Sequence, residues 1–434
     1  MKIAIQNQII DSINRVLPEV VERDVAIPNI PNKTHSIIGM RRTGKTYFMF
    51  QKIQDYLKQG VDRSRLVYLN FEDERLIDMT VNDLHWIIDE YYALYPDNRS
   101  QPVFFFLDEI QMIPQWERFV RRVMDSENTQ IYISGSSAKM LSSEIATSMR
   151  GRSIETVIYP FSFKEILTFN SITPPQRLTE IDKHIRALME NQLNQYLSVG
   201  GFPEAQNLNL ADRHVLLQSY VNTVIFRDII ERHGITNIVV LKQLIKHLIR
   251  NFAGPFTVNK FFNHLKSNGI KISKTTLHEY LSYIADTFLI QTITIYSQSE
   301  RRKMVNPSKS YIIDMGLADA FLMLKESNIG RHLENCIFIE LCRRKAQIEY
   351  FLSRSGYEVD FIVTYNDKTM EAIQVSADIS TKKTFERECR SLHEVKSVLD
   401  DIKLILITLS EENIILYQGS TIFIVPAWKW LLQI

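Results

Sequence analysis

The sequence predicts an α/β protein whose front part is a parallel-sheet core and whose remainder is a series of smaller helical and mixed modules. Three observations carry that reading. Gly39-Met40-Arg41-Arg42-Thr43-Gly44-Lys45-Thr46 matches the pattern G-x-x-x-x-G-K-[ST], a loop whose backbone N–H groups turn inward to cradle phosphates. The loop stands between a short apolar run, Ser36-Ile37-Ile38, and a segment from Thr46 to about Gln59 in which Phe48, Ile53 and Leu57 share one helical face. Farther along, Val103-Phe104-Phe105-Phe106-Leu107 runs straight into Asp108-Glu109, the pattern of a buried central strand with carboxylates at its carboxyl end.

The other elements follow in order. Residues 3–23 form an amphipathic pattern interrupted near Pro18, and the Pro28–Pro31 turn leads into the core. Leu66–Phe71 is a strand with an acidic exit at Glu72-Asp73-Glu74, and Val81–Leu94 a helix. Ile131–Ser134 is a further strand followed by Gly135-Ser136-Ser137 and a helix at Ala138–Leu141; Thr156–Tyr159 is another strand. Ile181–Leu197, Asp212–Arg232 and Val239–Arg250 read as helices, broken by Gly200-Gly201-Phe202-Pro203. Arg227-Asp228 falls inside the second, either as an ion pair or as a reporter of nucleotide state.

The chemistry expected at the front is nucleotide hydrolysis with ATP and Mg²⁺. Gly39, Arg41, Arg42, Thr43, Gly44, Lys45, Thr46 and Tyr47 form the binding set. Lys45 reaches the β- and γ-phosphates, and the Thr46 hydroxyl and Asp108 hold Mg²⁺. Glu109 polarises the attacking water as general base. Ser134 or Ser136, at the carboxyl end of a parallel strand, stands where a γ-phosphate sensor would sit, or else caps the next helix. Asn70 is a candidate to hold Glu109 in an inactive pose. Arg152, then Arg150, is the candidate arginine finger, in cis or from a neighbouring copy; the alternative is a solvated or nucleic-acid-facing arginine.

Residues 251–325 carry a separate signal. Phe256–Lys266 and the stretch from Ser273 to about Asp286 read as two helices, and Leu289–Ile295 and Lys309–Ile313 as two strands joined by Ser297–Lys303: the winged-helix pattern. Residues 241–310 hold eight Lys and three Arg against two Glu and one Asp, a local +8 in a chain of net +1. Such a patch is an electrostatic footprint for a phosphate backbone, DNA rather than RNA, with Lys271, Lys274, Arg301, Arg302 and Lys303 as candidates and the last three at the hairpin tip. Protein docking is the alternative use of the same module.

The last stretch changes pattern again. A helix at about Arg331–Arg344 precedes strands at Ile348–Leu352, Glu358–Val363, Glu371–Ser376, Lys403–Leu409 and Thr421–Val425, with a closing helix at Trp428–Leu432.

Gly39–Thr46, Asn70-Phe71-Glu72-Asp73, Leu107-Asp108-Glu109-Ile110-Gln111, Ser134-Gly135-Ser136-Ser137, Arg150-Gly151-Arg152, Pro160-Phe161-Ser162-Phe163 and Gly200-Gly201-Phe202-Pro203-Glu204 occur together in this order. In this the chain resembles the prokaryotic AAA+-like ATPases that carry a C-terminal nuclease-like domain. The resemblance covers nearly the whole length. It implies an N-terminal helix over 1–28, an ATPase core over 29–165, a helical lid over 166–250, a winged helix over 251–325 and a restriction-endonuclease-like domain over 326–434. An active domain of that last kind places acids where Glu334 and Asp360 stand, and an acid-x-lysine where this chain has Gln374-Val375-Ser376. The ammonium is missing unless Lys382 or Lys383 stands in, so the site is expected to be degenerate, with binding or structural use rather than cleavage.

Bulk properties narrow the rest. Three cysteines, none in a C-x-x-C pair, argue against a disulfide framework or a zinc cluster. The start lacks a signal-peptide pattern and no apolar run reaches about 18 residues, so a cytoplasmic protein without membrane segments is expected. The expected function is an Mg²⁺-dependent ATPase that couples hydrolysis to conformational change on or near DNA, with a homo-oligomer if the finger acts in trans. The alternatives are a nucleotide-gated protein-binding switch and an ATP-licensed nuclease.

Overall fold

A computed structural model of the chain describes residues 1–28, 30–135, 149, 151–175, 182–322 and 329–433. Ser136, the helix expected at Ala138–Leu141, Arg150 and the expected helix start at Ile181 lie outside the described residues. The chain divides into two compact units, Met1–Tyr159 and Pro160–Ile434.

The first unit is a five-stranded parallel sheet in the order β2-β3-β4-β1-β5. Its strands are β1 (Thr34–Ile38), β2 (Leu66–Asn70), β3 (Val103–Asp108), β4 (Thr129–Gly135) and β5 (Ser153–Val157). All pairings are parallel, and every residue of β1 is buried, as expected of a strand covered on both faces. Helix α2 (Lys45–Lys58) packs Phe48, Met49 and Ile53 against Ile37, Phe106 and Tyr132, and α3 (His85–Leu94) and α4 (Trp116–Ser126) follow β2 and β3 in the chain. Register then places the functional ends side by side: Asn70 pairs with Asp108, Leu107 with Ile133, Ile37 with Ser134 and Ile38 with Gly135.

Helix α1 (Lys2–Asn14) ends earlier than the sequence pattern suggests. Arg15 turns extended, and Leu17, Val20, Val25 and Ile27 pack on the core as an irregular strap instead of a helix face. Arg23 anchors the strap. Its backbone N–H donates to Gln51 Oε1 at 2.8 Å, and its guanidinium donates to the carbonyls of Thr43 and Tyr159.

The second unit opens with α5 (Phe163–Phe169), α6 (Lys183–Val199) and α7 (Leu210–Thr223). The long helix expected through Arg232 changes hydrogen-bond register at Val224–Glu231, a π-helical stretch. There Arg227 is exposed and Asp228 buried. After α8 (Ile238–Arg250) come β6 (Gly254–Phe256), α9 (Val258–Ser267), α10 (Lys274–Asp286), β7 (Ile290–Ile293) and β8 (Ser308–Ile312), the strands pairing antiparallel in the order β6-β8-β7. Between β7 and β8 lies the short helix α11 (Glu300–Val305), so Arg301, Arg302 and Lys303 stand on a helix rather than at a hairpin tip. Ser299 starts it by accepting from the Arg302 N–H.

The unit closes with a six-stranded mixed sheet in the order β13-β14-β12-β11-β10-β9. Its strands are β9 (Gln347–Leu352), β10 (Glu358–Thr364), β11 (Met370–Val375), β12 (Lys403–Thr408), β13 (Asn413–Tyr417) and β14 (Ser420–Pro426). Helix α13 (Ile329–Arg343), which follows α12 (Met315–Leu322), packs against β8, β9 and β11, and α14 (Lys382–Lys396) buries Cys389, Leu392 and Val395 against β12 and β14. Strand β13 is an element the sequence pattern does not announce. It pairs with β14 across Gln418-Gly419, both at positive φ, as a two-residue hairpin of the primed type requires. Among the described residues no helix is long and apolar enough to cross a membrane.

His35 on β1 is 3 % exposed and stacked on Tyr132, with ring centroids 5.0 Å apart. Burial lowers its pKa to about 4, below the ordinary 6.5. The unfolded chain therefore binds the extra proton first, so stability is lost as pH falls from 6.5 towards 4, by up to about 3 kcal/mol. Replacing His35 by Leu should reduce the gain in melting temperature between pH 5 and pH 7; an unchanged gain would show that His35 does not carry it.

Candidate functional site

The aligned carboxyl ends of β1, β3 and β4 bring the loop, Asp108 and Ser134 together, the edge at which open α/β sheets bind ligands. The loop leaves β1 at Gly39, whose φ is +146°, and enters α2 through Gly44, whose φ is +96°. A Cβ on Gly39 would stand 2.4 Å from the Ile158 carbonyl oxygen, so the backbone passes too close for any side chain. Thr43 is buried, and its hydroxyl donates to the Met40 carbonyl at 3.0 Å. Lys45 is buried as well, its Nζ donating to the Gly39 carbonyl at 3.0 Å and the Met40 carbonyl at 3.1 Å. Its ammonium is thus held over the loop where phosphates are cradled. Arg41 pairs with Glu72 at 3.6 Å, while Arg42 and Tyr47 are exposed at the rim.

Asp108 is the meeting point of the site. Its Oδ2 accepts from the Thr46 hydroxyl at 2.8 Å and from the Tyr68 hydroxyl at 2.7 Å, and its Oδ1 accepts from the Ser134 hydroxyl. Burial, followed by the neighbouring Asp108, pushes the Tyr68 phenol up, which keeps it a donor. Ser134 also accepts from the Glu109 N–H at 3.0 Å. Glu109 itself sits in the left-handed region at φ +54°, a conformation that costs a non-glycine residue about 1–2 kcal/mol. Burial raises the Glu109 carboxyl above the usual range, Lys45 opposing and Asp108 adding to the shift.

Two expectations need correction. Asn70 does not hold Glu109: its Oδ1 accepts from the Glu72 N–H at 3.0 Å, shaping the turn after β2, and the amide that donates to the Glu109 carboxylate belongs to Gln111. Arg152 lies at the opposite end of the sheet, where its carbonyl accepts from the Thr34 N–H at the start of β1. Its guanidinium pairs with Asp125 at 2.6 Å. A five-residue strand of about 16 Å separates it from the loop of its own chain, so a finger role in cis is ruled out by distance.

The hard oxygen donors of Thr46 and Asp108, side by side beneath the loop, fit Mg²⁺. The sequence pattern assigns no site role to Tyr68, Arg23 or Gln111. Tyr68 and Arg23 act through contacts between segments far apart in the chain, for which a single sequence holds no signal.

The basic candidates divide. Lys271 and Arg301 are exposed; Lys274 is exposed at the start of α10, its Nζ 5.3 Å from the Phe262 ring. Lys303 is engaged with Glu349 at 2.9 Å and Glu300 at 3.6 Å, and Arg302 donates to the Leu352 carbonyl at 3.3 Å.

Glu334 on α13 and Asp360 on β10 converge on the ammonium of Lys309, to which the sequence pattern assigns no role in this cluster. Lys309 Nζ lies 2.7 Å from Glu334 Oε1, 2.9 Å from Asp360 Oδ1 and 3.0 Å from Glu358 Oε1. Burial opposes its charge, but Asp360, Tyr311, Glu334 and Glu358 outweigh it and hold the ammonium well above its ordinary pKa. Burial raises the Glu334 carboxyl, and Asp360 adds to it. Gln374 accepts from the Asp360 N–H at 3.2 Å and donates to Glu388 at 2.9 Å; the Ser376 hydroxyl turns away to the Asp378 carbonyl at 3.1 Å. Lys382 and Lys383 are exposed at the start of α14, and Lys382 is 3.8 Å from Glu386, so neither stands in.

Residues 31–167 match a family described as an AAA domain, and residues 190–328 match one described as a domain of unknown function. The chain is 38 % identical over 427 residues to an uncharacterized protein of Methanocaldococcus jannaschii, covering 95 % of this chain and 91 % of the relative. It is 31 % identical over 377 residues to an uncharacterized protein of Haemophilus influenzae, covering 86 % and 88 %. Among solved structures it is similar to a Walker-type ATPase of Pyrococcus abyssi at 15 % identity and a TM-score of 0.36, covering 73 % of this chain and 94 % of that one.

Replacing Gly39 by Ala should weaken nucleotide binding roughly tenfold or more, because a side chain at positive φ adds strain above about 1 kcal/mol to the clash with Ile158. Calorimetric titration of the folded variant checks this, and wild-type affinity would refute it.

Proposed function

The chain belongs to the prokaryotic family of AAA+-like P-loop ATPases represented by these archaeal and bacterial relatives, and from that premise we propose that it hydrolyses ATP with Mg²⁺ and couples the cycle to a conformational change on or near DNA. One observation carries the hydrolytic reading: the Thr46 hydroxyl meets the Asp108 carboxylate at 2.8 Å beneath the loop, with the buried Lys45 ammonium beside them. Thr46 and Asp108 would hold Mg²⁺, which when bound neutralises phosphate charge.

The residues of the chain do the rest. The loop amides and Lys45 bind the β- and γ-phosphates. Glu109 takes the proton of the attacking water, and the hydrogen bond from its own N–H to Ser134 ties it to the neighbouring strand end. Ser134 reports the state of the γ-phosphate through its bonds to Asp108 and Glu109. An arginine completing the site comes from a neighbouring copy, as Arg152 or Arg150. The local +8 of residues 241–310 supports a nucleic-acid role, with Lys271, Lys274 and Arg301 as its phosphate contacts in a winged-helix module. The engagement of Lys303 and Arg302 within the chain favours a second reading, a nucleotide-gated switch that binds a protein partner.

Lys45→Ala and Glu109→Gln should each lower steady-state ATPase turnover by about 10²-fold or more, with Glu109→Gln still binding ATP. Wild-type turnover in both would sink the assignment. Glu109 works as a base only when ionised, and burial raises its pKa. Turnover should therefore climb with pH through a midpoint above the ordinary carboxylate value, and Glu109→Gln should flatten that limb. For the nucleic-acid role, removing Lys271, Lys274 and Arg301 should each reduce the slope of log affinity for duplex DNA against log salt by about one. DNA binding without salt dependence, or none at all, would favour the protein-binding switch.

A further inference from the structure

Arg23 lies in the strap between α1 and β1 and is 7 % exposed. Its main chain is held from both sides by Gln51 on α2. The Arg23 N–H donates to Gln51 Oε1 at 2.8 Å, and the Gln51 amide donates to the Arg23 carbonyl at 3.3 Å. From that fixed base the guanidinium forks. One arm donates to the Thr43 carbonyl at 2.9 Å and the other to the Tyr159 carbonyl. A planar guanidinium with fixed N–H directions orients what it binds, which an ammonium on a flexible stem does not. The two carbonyls frame the phosphate loop. Thr43 precedes Gly44, where the loop enters α2. Tyr159 follows Ile158, whose carbonyl oxygen leaves no room for a side chain on Gly39, where the loop leaves β1.

The Thr43 carbonyl matters because of the group at the other side of its peptide. In a trans peptide the C=O and N–H point in opposite directions, and the described chain has no cis bond. Holding the Thr43 carbonyl on Arg23 therefore aims the Gly44 N–H away from the strap. Gly44, at φ +96° and ψ 24°, puts no Cβ in the way of rotation of that peptide. Turned over, the same peptide would offer a carbonyl oxygen where an anion needs an N–H.

We propose that Arg23 is the positioning residue of the phosphate loop: it holds the Thr43–Gly44 peptide in its anion-binding orientation, so that phosphate affinity and the docking of the N-terminal strap are coupled. The inference rests on the nucleotide reading of the loop and names the device that keeps the loop ready for phosphate. Arg23 acts through the Thr43 peptide and not by contact with the phosphates. Coupling is reciprocal: the factor by which affinity falls when the strap lifts is the factor by which bound phosphate holds the strap down.

Calorimetric titration of ADP and of inorganic pyrophosphate into the full chain with Mg²⁺ present, together with hydrogen exchange at the Arg23 amide, tests this. Arg23→Ala should weaken both ligands about tenfold or more, the contribution of one charge-assisted hydrogen bond. The factor should be the same for both, because pyrophosphate engages only the loop. Arg23→Lys keeps the buried charge but cannot hold two carbonyls in a fixed fork, so it should lose an intermediate factor. It also covers the case in which the alanine variant does not fold. In wild type, saturating pyrophosphate should slow exchange of the Arg23 amide by about tenfold or more. Wild-type pyrophosphate affinity in the alanine variant overturns the inference alone. Loss of ADP affinity without loss of pyrophosphate affinity also overturns it, since Arg23 would then serve the base and not the loop. So does exchange at Arg23 that pyrophosphate leaves unchanged, a measurement that needs no variant. A wild-type chain that binds neither ligand removes the nucleotide reading itself, and this inference with it.

Discussion

The Asp108 carboxylate is the constraint on which the front of the molecule depends. Three hydroxyls from three separate elements, Thr46 on α2, Tyr68 on β2 and Ser134 on β4, point at one carboxylate at the end of β3. A buried anion is tolerated only when its lone pairs are met, and each of these donors sits where the parallel register puts it. The pairing of Asn70 with Asp108 and of Ile37 with Ser134 sets the strand ends level, and from that level edge the phosphate loop departs. Sheet register and site geometry are the same fact seen at two scales. Arg23 extends the arrangement backwards, fastening the irregular N-terminal strap to the Thr43 carbonyl inside the loop.

The second unit solves the opposite electrostatic problem with the same logic. Its buried carboxyl groups have an ammonium at their centre. Breaking a buried pair by removing one partner typically costs about 3–5 kcal/mol, because the charge left behind has no water to turn to. Lys309, Glu334 and Asp360 are therefore bound to one another in use: each is tolerated in the interior only while the others remain. This accounts for a lysine with a buried side chain in β8.

Much of this was legible in the chain itself, for physical reasons that differ by element. Strands β1 and β3 announce themselves because buried parallel strands are continuous apolar runs, and Gly39–Thr46 because few residue types can follow that backbone path. Helix α1 stops at Asn14 although the amphipathic pattern runs to residue 23, since the spacing of Leu17 and Val20 serves an extended strap as well as a helix. Strand β13 was missed because it is an edge strand with Ile414 and Leu416 exposed, so it lacks the inward alternation that marks a half-buried strand. Arg152 was placed by its proximity in sequence to a strand, but the strand's direction puts it at the far end of the sheet from the loop.

The sequence by itself determined the nucleotide site: glycine at positive φ, lysine, threonine and the Asp108-Glu109 exit are local requirements of phosphate binding, and local chemistry can be read locally. Tertiary structure alone decided which groups complete it and which cation fills the second cluster. Tyr68 and Asp108 are 40 residues apart, Lys309 and Asp360 51 residues apart, and their meeting is set by strand order and register. A lone lysine in a strand carries no mark of its partner until the sheets that hold the two are packed together.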